Sequence, residues 1–457
     1  MKYSDICRSR NVRNRIMSVF LILIFILSIT STCVIPDQKD FLIIWISVSV
    51  AFCAYILMLK SESISFKTLL ITGMSIRVIL LFAFPNLSDD IYRFYWDGLM
   101  WHNGENAYDI LPADYVQISG DLSLNELYEK LNSGAYFTIY PPITQLIFYF
   151  STFAGNVFTA SLIMKAALLA GEIFGLFYIL KLCSFSGKES KNAMWYFLNP
   201  LVITEGAGNL HFEVLMIAFF AAGLYYFFTK SYAVSGCWMA ASVSVKLFPM
   251  IFFPYFFLKL KSKEKWIFFS VLLTVLLFLF SPLWVNSYLS HYAESLDLYF
   301  RKFEFNASIY FIIRSIGYIF SGYNLIGYIG PATALVVFIF VWIQAFKSKN
   351  EPIFDFRKFG LLAWFTYLLF STTVHPWYLI LLIFMSVFIR SYFVIIWSYT
   401  VFLSYAHYSS PDGMPVALLI VEYGLILLAL ILQFTHYGNS ISEIVHKLFF
   451  SGKKRDS

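Results

Sequence analysis

The stretch NLSDDIYRFYWDG, residues 86–98, decides how this chain is read. It follows directly on an apolar run, 68–85, long enough to cross a bilayer, and it carries two adjacent aspartates. A helix over this stretch takes Ser88 as N-cap and begins with Asp89 and Asp90, where the helix dipole favours acids. A spacing of four then puts Asp89, Arg93 and Asp97 on one face. Those residues admit two uses. One is a capped, charge-paired helix lying at the membrane surface. The other is a carboxylate held there as a general base toward an incoming hydroxyl.

Working outward, the 457 residues are 59% hydrophobic and 13% charged, whereas a soluble domain carries roughly a quarter charged residues. Apolar runs near the spanning length of about 20 residues recur from end to end. The expectation is an all-α polytopic membrane protein, a single integral domain of about 11 to 14 transmembrane helices. The short alternating segments of a transmembrane β-barrel are absent from the sequence. The run from Ile16 to Ile35 follows Arg8, Arg10, Arg13 and Arg15 and ends without a small-residue cleavage site, so it reads as a retained first helix. The net charge of +6 is scattered through short loops, which fits the positive-inside rule and not nucleic-acid binding. The five cysteines have no metal-like spacing.

Lysines and arginines set the threading. The N-terminal arginines, Lys60 with Lys67, KLKSKEK (259–265), KSKNEPIFDFRK (347–358) and the tail GKKRDS (452–457) read as inside. The segment 86–140, after the third span, then falls outside, as does 284–307. The first of these loops holds Asp89, Asp90, Asp97, Glu105, Asp109, Asp114, Asp121, Glu126 and Glu129 against Arg93 and Lys130. Long loops on a rigid scaffold commonly carry function. The middle, 141–258, threads in two ways. Five crossings put GKESK (187–191) outside, and three crossings with broken helices put it inside.

Several polar residues sit where an apolar chain should not carry them. Tyr140-Pro141-Pro142 stiffens the return of the outer loop to the membrane, and Gln145 lies about one turn deeper. NPLVITEGAGNLHFE (199–213) brings Glu205, Asn209, His211 and Glu213 into an apolar region. Each such ionisable group costs about 2.5–3.5 kcal/mol to insert, so these residues either bond helix to helix or face a cavity. Lys246, central in the apolar run 233–258, is poorly placed to snorkel and suits a phosphate group. Arg77 and Arg314 raise the same question. Arg301 in the second outer loop and His375 in TTVHPWYL (372–379) complete the set of candidate binding residues. The sequence suggests no metal site and demands no cofactor.

In order along the chain, DDIYRFYWDG, GENAY, YPPITQ, NPLVITE, GNLHFE, KLFP, FEFNASIY and HPWY resemble the GT-C superfamily of membrane glycosyltransferases over about residues 70 to 435. The resemblance is nearest to the bacterial mannosyltransferase-like branch. The Lys-x-x-Pro element at 246–249 is also shared with the enzymes that add the first mannose of GPI anchors. The resemblance implies a polyprenyl-phosphate-linked sugar donor, a glycan or glycolipid acceptor, no nucleotide and an active site on the external side of a bacterial inner membrane. By the same resemblance Asp89 or Asp90 is the catalytic base, Asp89 first, and transfer inverts the anomeric carbon. The adjacent aspartates depart from the Asp-x-Asp of the GPI enzymes. A transporter or flippase of lipid-linked sugars, or an O-antigen-type ligase or polymerase, are the alternatives.

Overall fold

The computed structural model describes residues 3–434 apart from 390 and 412. The tail GKKRDS lies outside the described residues. Among the described residues the regular structure is helical, with one isolated parallel bridge between Phe305 and Thr373. The protein is an all-α polytopic membrane protein.

Three helices open the chain: α1 (Tyr3–Val34), α2 (Phe41–Lys60) and α3 (Phe66–Leu81). The first outer loop folds as α4 (Asp90–His102), α5 (Pro112–Ser119) and α6 (Leu122–Tyr128). Pro142 stands at the first position of α7 (Pro142–Thr152), where a missing N–H costs nothing. Then come α8 (Val157–Phe185), α9 (Met194–Phe197) and a π-helical turn, Val202–Gly208. That turn meets α10 (Glu213–Phe228) at a bend of 108°. The helix is thus broken in this stretch.

The apolar run 233–258 is not one span. It forms α11 (Tyr232–Val245), an extended Lys246, a 3-10 turn and α12 (Phe253–Lys259). Pro249 explains the break, because it has no N–H to offer the carbonyl of Val245. The remainder is α13 (Ser262–Leu279), α14 (Tyr288–Arg301), α15 (Ile309–Ser321), α16 (Ile326–Lys347), α17 (Phe356–Phe370), α18 (Leu379–Ser386), α19 (Tyr392–Thr400), α20 (Ala406–Ser409) and α21 (Val416–Phe434). Among the described residues, five helices are long and apolar enough to cross a membrane alone, and the bent pair makes a sixth candidate. The other expected spans fall on shorter helices or, in α13, on a helix whose first turns carry Lys263, Glu264 and Lys265.

Two faces emerge from the hydrogen bonds between loops. Lys191 donates to the carbonyl of Ser61 (3.0 Å), Lys259 to that of Ser348 (2.9 Å), and Tyr255 to that of Ile353 (2.7 Å). This gathers the lysine-rich connections on one face, and GKESK with them. On the other face Asn86 donates to the carbonyl of Val34 (3.0 Å) and Asn106 to that of Pro282 (3.3 Å), while His291 lies 3.0 Å from the carbonyl of Tyr108. The acidic loop and the loop 284–307 therefore meet on one side.

Buried charges brace the bundle between these faces. Arg77 on α3 donates through Nε (2.9 Å) and Nη2 (2.7 Å) to Glu172 on α8, and lies over the ring of Phe197. Lys165 on α8 donates to the carbonyls of Leu80 (3.0 Å) and Ala83 (2.7 Å), at and just beyond the end of α3. Arg77 is thus a scaffold residue. Four cysteines, Cys33, Cys53, Cys183 and Cys237, are free.

Candidate active site

Helix α4 seats the site. It packs on α7 through Gly98, where an added Cβ would come within 2.4 Å of the carbonyl oxygen of Phe148. That approach brings Gln145 under α4 and closes a polar network. Arg93 Nε donates to Asp97 Oδ1 (2.8 Å) and Gln145 Nε2 to Asp97 Oδ2 (2.9 Å). Thr138 also donates to Asp97 Oδ2, and Trp101 Nε1 donates to Gln145 Oε1 (2.9 Å). Arg93 Nη1 reaches the carbonyls of Ser133 (2.9 Å) and Tyr136 (2.8 Å), which pins the far end of the acidic loop over α4. Asp97 and Gln145 are buried and spend their hydrogen bonds inside the protein. They position the site and do not face it.

The start of α4 differs from the expectation by one residue. Asp89, not Ser88, is the N-cap, and its side chain makes no capping bond. Ser88 Oγ accepts only a long bond from the Asp90 N–H (3.4 Å). Asp89 is exposed at the rim beside the loop 35–40. Partial burial, with Asp90 and Asp37 nearby, raises its pKa above the usual carboxylate value. Asp90 is half-buried, accepts from Asn132 Nδ2 (2.9 Å) and the Tyr140 hydroxyl (3.2 Å), and lies 4.0 Å from His211 Nε2.

Both aspartates line a cavity of about 350 Å³ on the acidic face. Arg93, Asn132, Tyr136 and Tyr140 line it from the first loop, Tyr299, Glu304 and Phe305 from the second, and His375, Trp377, His407 and Tyr408 from the C-terminal third. Backbone bonds from Phe305 to Thr372 (3.1 Å) and from Val374 to Phe305 (2.8 Å) hold the last two groups together. Behind the cavity the rings of His211 and Trp377 stack at 3.6 Å, those of Trp377 and His375 at 4.4 Å, and those of His375 and Phe305 at 4.6 Å. Burial first, then His211, Lys246 and His407, lowers the pKa of His375 to about 3. Its imidazole is therefore a neutral hydrogen-bonding group at physiological pH.

Beneath this stack lies the π-helical turn. Glu205 is fully buried, accepting from the Tyr405 hydroxyl (2.8 Å) and from Asn209 (3.4 Å), with His211 Nδ1 at 3.1 Å from its Oε2. Glu213 pairs with Lys246, whose ammonium also lies near the rings of Phe248 and Tyr378. Lys246 is thus neutralised beside the cavity and is not on its lining. Arg301 is farther off: it is exposed, pairs with Asp297 (2.9 Å) and bonds the carbonyl of Gly327. Arg314 pairs with Glu304. The structure therefore brings Asp89, Asp90, Arg93, Tyr140 and His375 to one cavity, sets Asp97, Gln145, Glu205, Asn209, His211, Glu213 and Lys246 behind it, and leaves Arg301 apart. Among the described residues no group of three or more His, Cys, Asp or Glu side chains is arranged to hold a metal.

The sequence reading missed Tyr405, His407, Tyr408, Asn132 and Glu422. SYAHYSS (404–410) carried the same signal as HPWY, polar aromatics at a helix end. Glu422 is a lone acid in an apolar helix, buried, and accepts from Asn306 (3.2 Å) and Trp397 (3.0 Å), which anchors the second loop. Nothing in KLNSG marked Asn132 as a partner of Asp90.

Residues 26–261, just over half of the chain, match the family described as alpha-(1->6)-mannopyranosyltransferase, N-terminal domain. A curated relative, alpha-(1->6)-mannopyranosyltransferase A of Mycobacterium tuberculosis strain H37Rv, is 26% identical over 150 residues. That alignment covers 32% of this chain and 28% of the relative. The matched stretch thus spans little more than a quarter of the relative's length.

Proposed function

Because the chain belongs to the alpha-(1->6)-mannopyranosyltransferase family, we propose that it is a membrane mannosyltransferase working at the cavity that Asp89 and Asp90 line. The donor is a polyprenyl-phosphate-linked mannose, and the acceptor is a glycan or glycolipid hydroxyl. The observation that carries this reading is the adjacent acid pair opening into a 350 Å³ cavity on the acidic face, with the lysine-rich loops on the opposite face as the positive-inside rule requires of a bacterial inner-membrane protein.

Asp90 is the base. The resemblance put Asp89 first, but Asp89 stands at the rim, whereas Asp90 is oriented by Asn132 and Tyr140. A base fixed by its neighbours loses less orientational freedom in the transition state. Asp90 takes the proton of the acceptor hydroxyl as its oxygen attacks the anomeric carbon, and the lipid phosphate leaves from the opposite side. One displacement inverts the carbon, so the alpha linkage of the family's description requires a donor of beta configuration. The phosphate leaves as an anion and needs no proton. Tyr136, Tyr299, Tyr408 and the neutral His375 line the cavity and supply hydrogen bonds to the sugar and the phosphate. Arg93 lines the cavity as well, with its charge paired to Asp97.

The test is to incubate the purified full chain with beta-linked polyprenyl-phosphomannose and a mannose-terminated oligosaccharide. Acceptor-dependent release of lipid phosphate, with an elongated product, is expected. Donor crossing liposomes unchanged would instead identify a flippase.

A further inference from the structure

We infer that the buried Glu205–His211 pair is a proton relay behind Asp90, in which His211 takes the proton on from Asp90 without touching the sugar. This rests on the mannosyltransferase reading for its reaction, but its geometry stands apart from that reading.

Three observations on different atoms converge. First, His211 Nδ1 lies 3.1 Å from the backbone oxygen of Glu205 and 3.1 Å from its Oε2. Both neighbours are acceptors, so Nδ1 carries a proton, and in the neutral ring Nε2 is then the free acceptor. Second, Nε2 is buried and has no hydrogen-bond partner, and the polar group it faces is Asp90 Oδ2 at 4.0 Å. A buried nitrogen with no partner carries a desolvation cost. Third, the backbone that aims the ring is distorted. A π-helical turn presents Glu205, and Leu210, immediately before His211, takes φ +63°. A left-handed leucine is strained, and such strain collects at working sites.

The proton balance follows. The acceptor O–H bond breaks and its proton goes to Asp90, while the acceptor oxygen bonds the anomeric carbon and the carbon–phosphate oxygen bond breaks with its electron pair on the phosphate. A turn of the Asp90 carboxyl that closes the 4.0 Å gap to hydrogen-bond distance then lets its proton cross to His211 Nε2. The imidazolium so formed sits between two carboxylates, and Trp377 stacked on its face is a favourable neighbour for a cation. The proton later returns through Asp90 to the cavity and to water. Glu205 fixes the tautomer and stabilises the charged ring, and the Tyr405 hydroxyl holds Glu205 in place.

The experiment uses the full chain, ¹⁵N-labelled at histidine, with the His211 signals assigned by difference against His211→Gln. Without substrate at mildly alkaline pH, His211 is expected as the Nδ1–H tautomer, and Asp90→Asn is expected to shift its Nε2 resonance. An Nε2–H tautomer, or a resonance indifferent to Asp90→Asn, overturns the relay whether or not the protein transfers mannose. In the lipid-phosphate assay, His211→Gln should lower kcat about 100-fold with the donor KM within about twofold. A loss confined to KM, or a variant as fast as the parent chain, also overturns it. If the parent chain itself releases no lipid phosphate, the mannosyltransferase reading fails and the tautomer measurement still decides the relay.

Discussion

Asp90 and Asp97 lie two turns apart on one helix, and their surroundings differ in a way that separates scaffold from site. Asp97 is fully buried, and both its oxygens accept from side chains that are themselves bonded. Asp90 opens to a cavity, and the imidazole behind it keeps one nitrogen without a partner. A closed network keeps its geometry when nothing is bound. An open one holds a hydrogen-bonding capacity in reserve, at a cost in stability. The lesson is that burial and charge alone do not mark a site in a membrane protein. Arg77 and Glu172 are as buried as any pair here and brace two helices.

The contrast can be broken at its extremes. Asp90→Asn should lower the transfer rate by about 10² to 10⁴-fold and leave the thermal midpoint of the detergent-solubilised protein nearly unchanged. Asp97→Ala should do the reverse first: it strands Arg93 in the protein interior, at about 3–5 kcal/mol, and should appear as a lowered midpoint or lost expression. An Asp97 variant that folds normally but is slow would join the two networks into one. Tyr140→Phe removes one donor to Asp90 and should reduce the rate about tenfold with little effect on folding, measured in the same assay.

Two smaller effects sharpen the comparison. Asp89 has its pKa raised in the folded protein by burial and by Asp90 and Asp37. The native state therefore holds that proton more tightly than the unfolded chain. Its contribution to stability is fully present below the ordinary carboxylate pKa and is lost as pH rises through the folded value. Asp89→Asn should accordingly flatten the midpoint-against-pH curve in the acidic range above 3.8. Arg301→Ala removes an exposed pair worth about 0–1 kcal/mol and should leave both midpoint and transfer rate within error. A large rate loss there would return Arg301 to the site.

How much of this was legible in the sequence follows from what each signal measures. The gathering of the lysine-rich loops on one face was readable because loop lysines act locally. The break at Lys246 was not anticipated as such, although Pro249 three residues later dictates it through the Val245 carbonyl. The acid pair, His211, Glu205 and His375 were legible because an ionisable group in an apolar chain is costly and invites a reason. Which partner each would take was not. Lys246 looked like a free cation for a phosphate and is neutralised by Glu213, 33 residues earlier. Arg301 looked as though it overhung the cavity, and one turn of helix aims it at Asp297 instead. Pairings across loops, such as Asn132 with Asp90, come from tertiary closure and leave no periodic trace.

The central claim is that Asp90, and not its neighbour, takes the acceptor's proton. The direct measurement is single-turnover release of lipid phosphate from beta-linked polyprenyl-phosphomannose by the parent chain, Asp89→Asn and Asp90→Asn, with donor saturating. The account predicts at least a hundredfold loss for Asp90→Asn and a loss of tenfold or less for Asp89→Asn, on the order expected for removing a general base as against a rim charge. An Asp90→Asn protein that turns over at the parent rate, or an Asp89→Asn protein that alone goes silent, would contradict it.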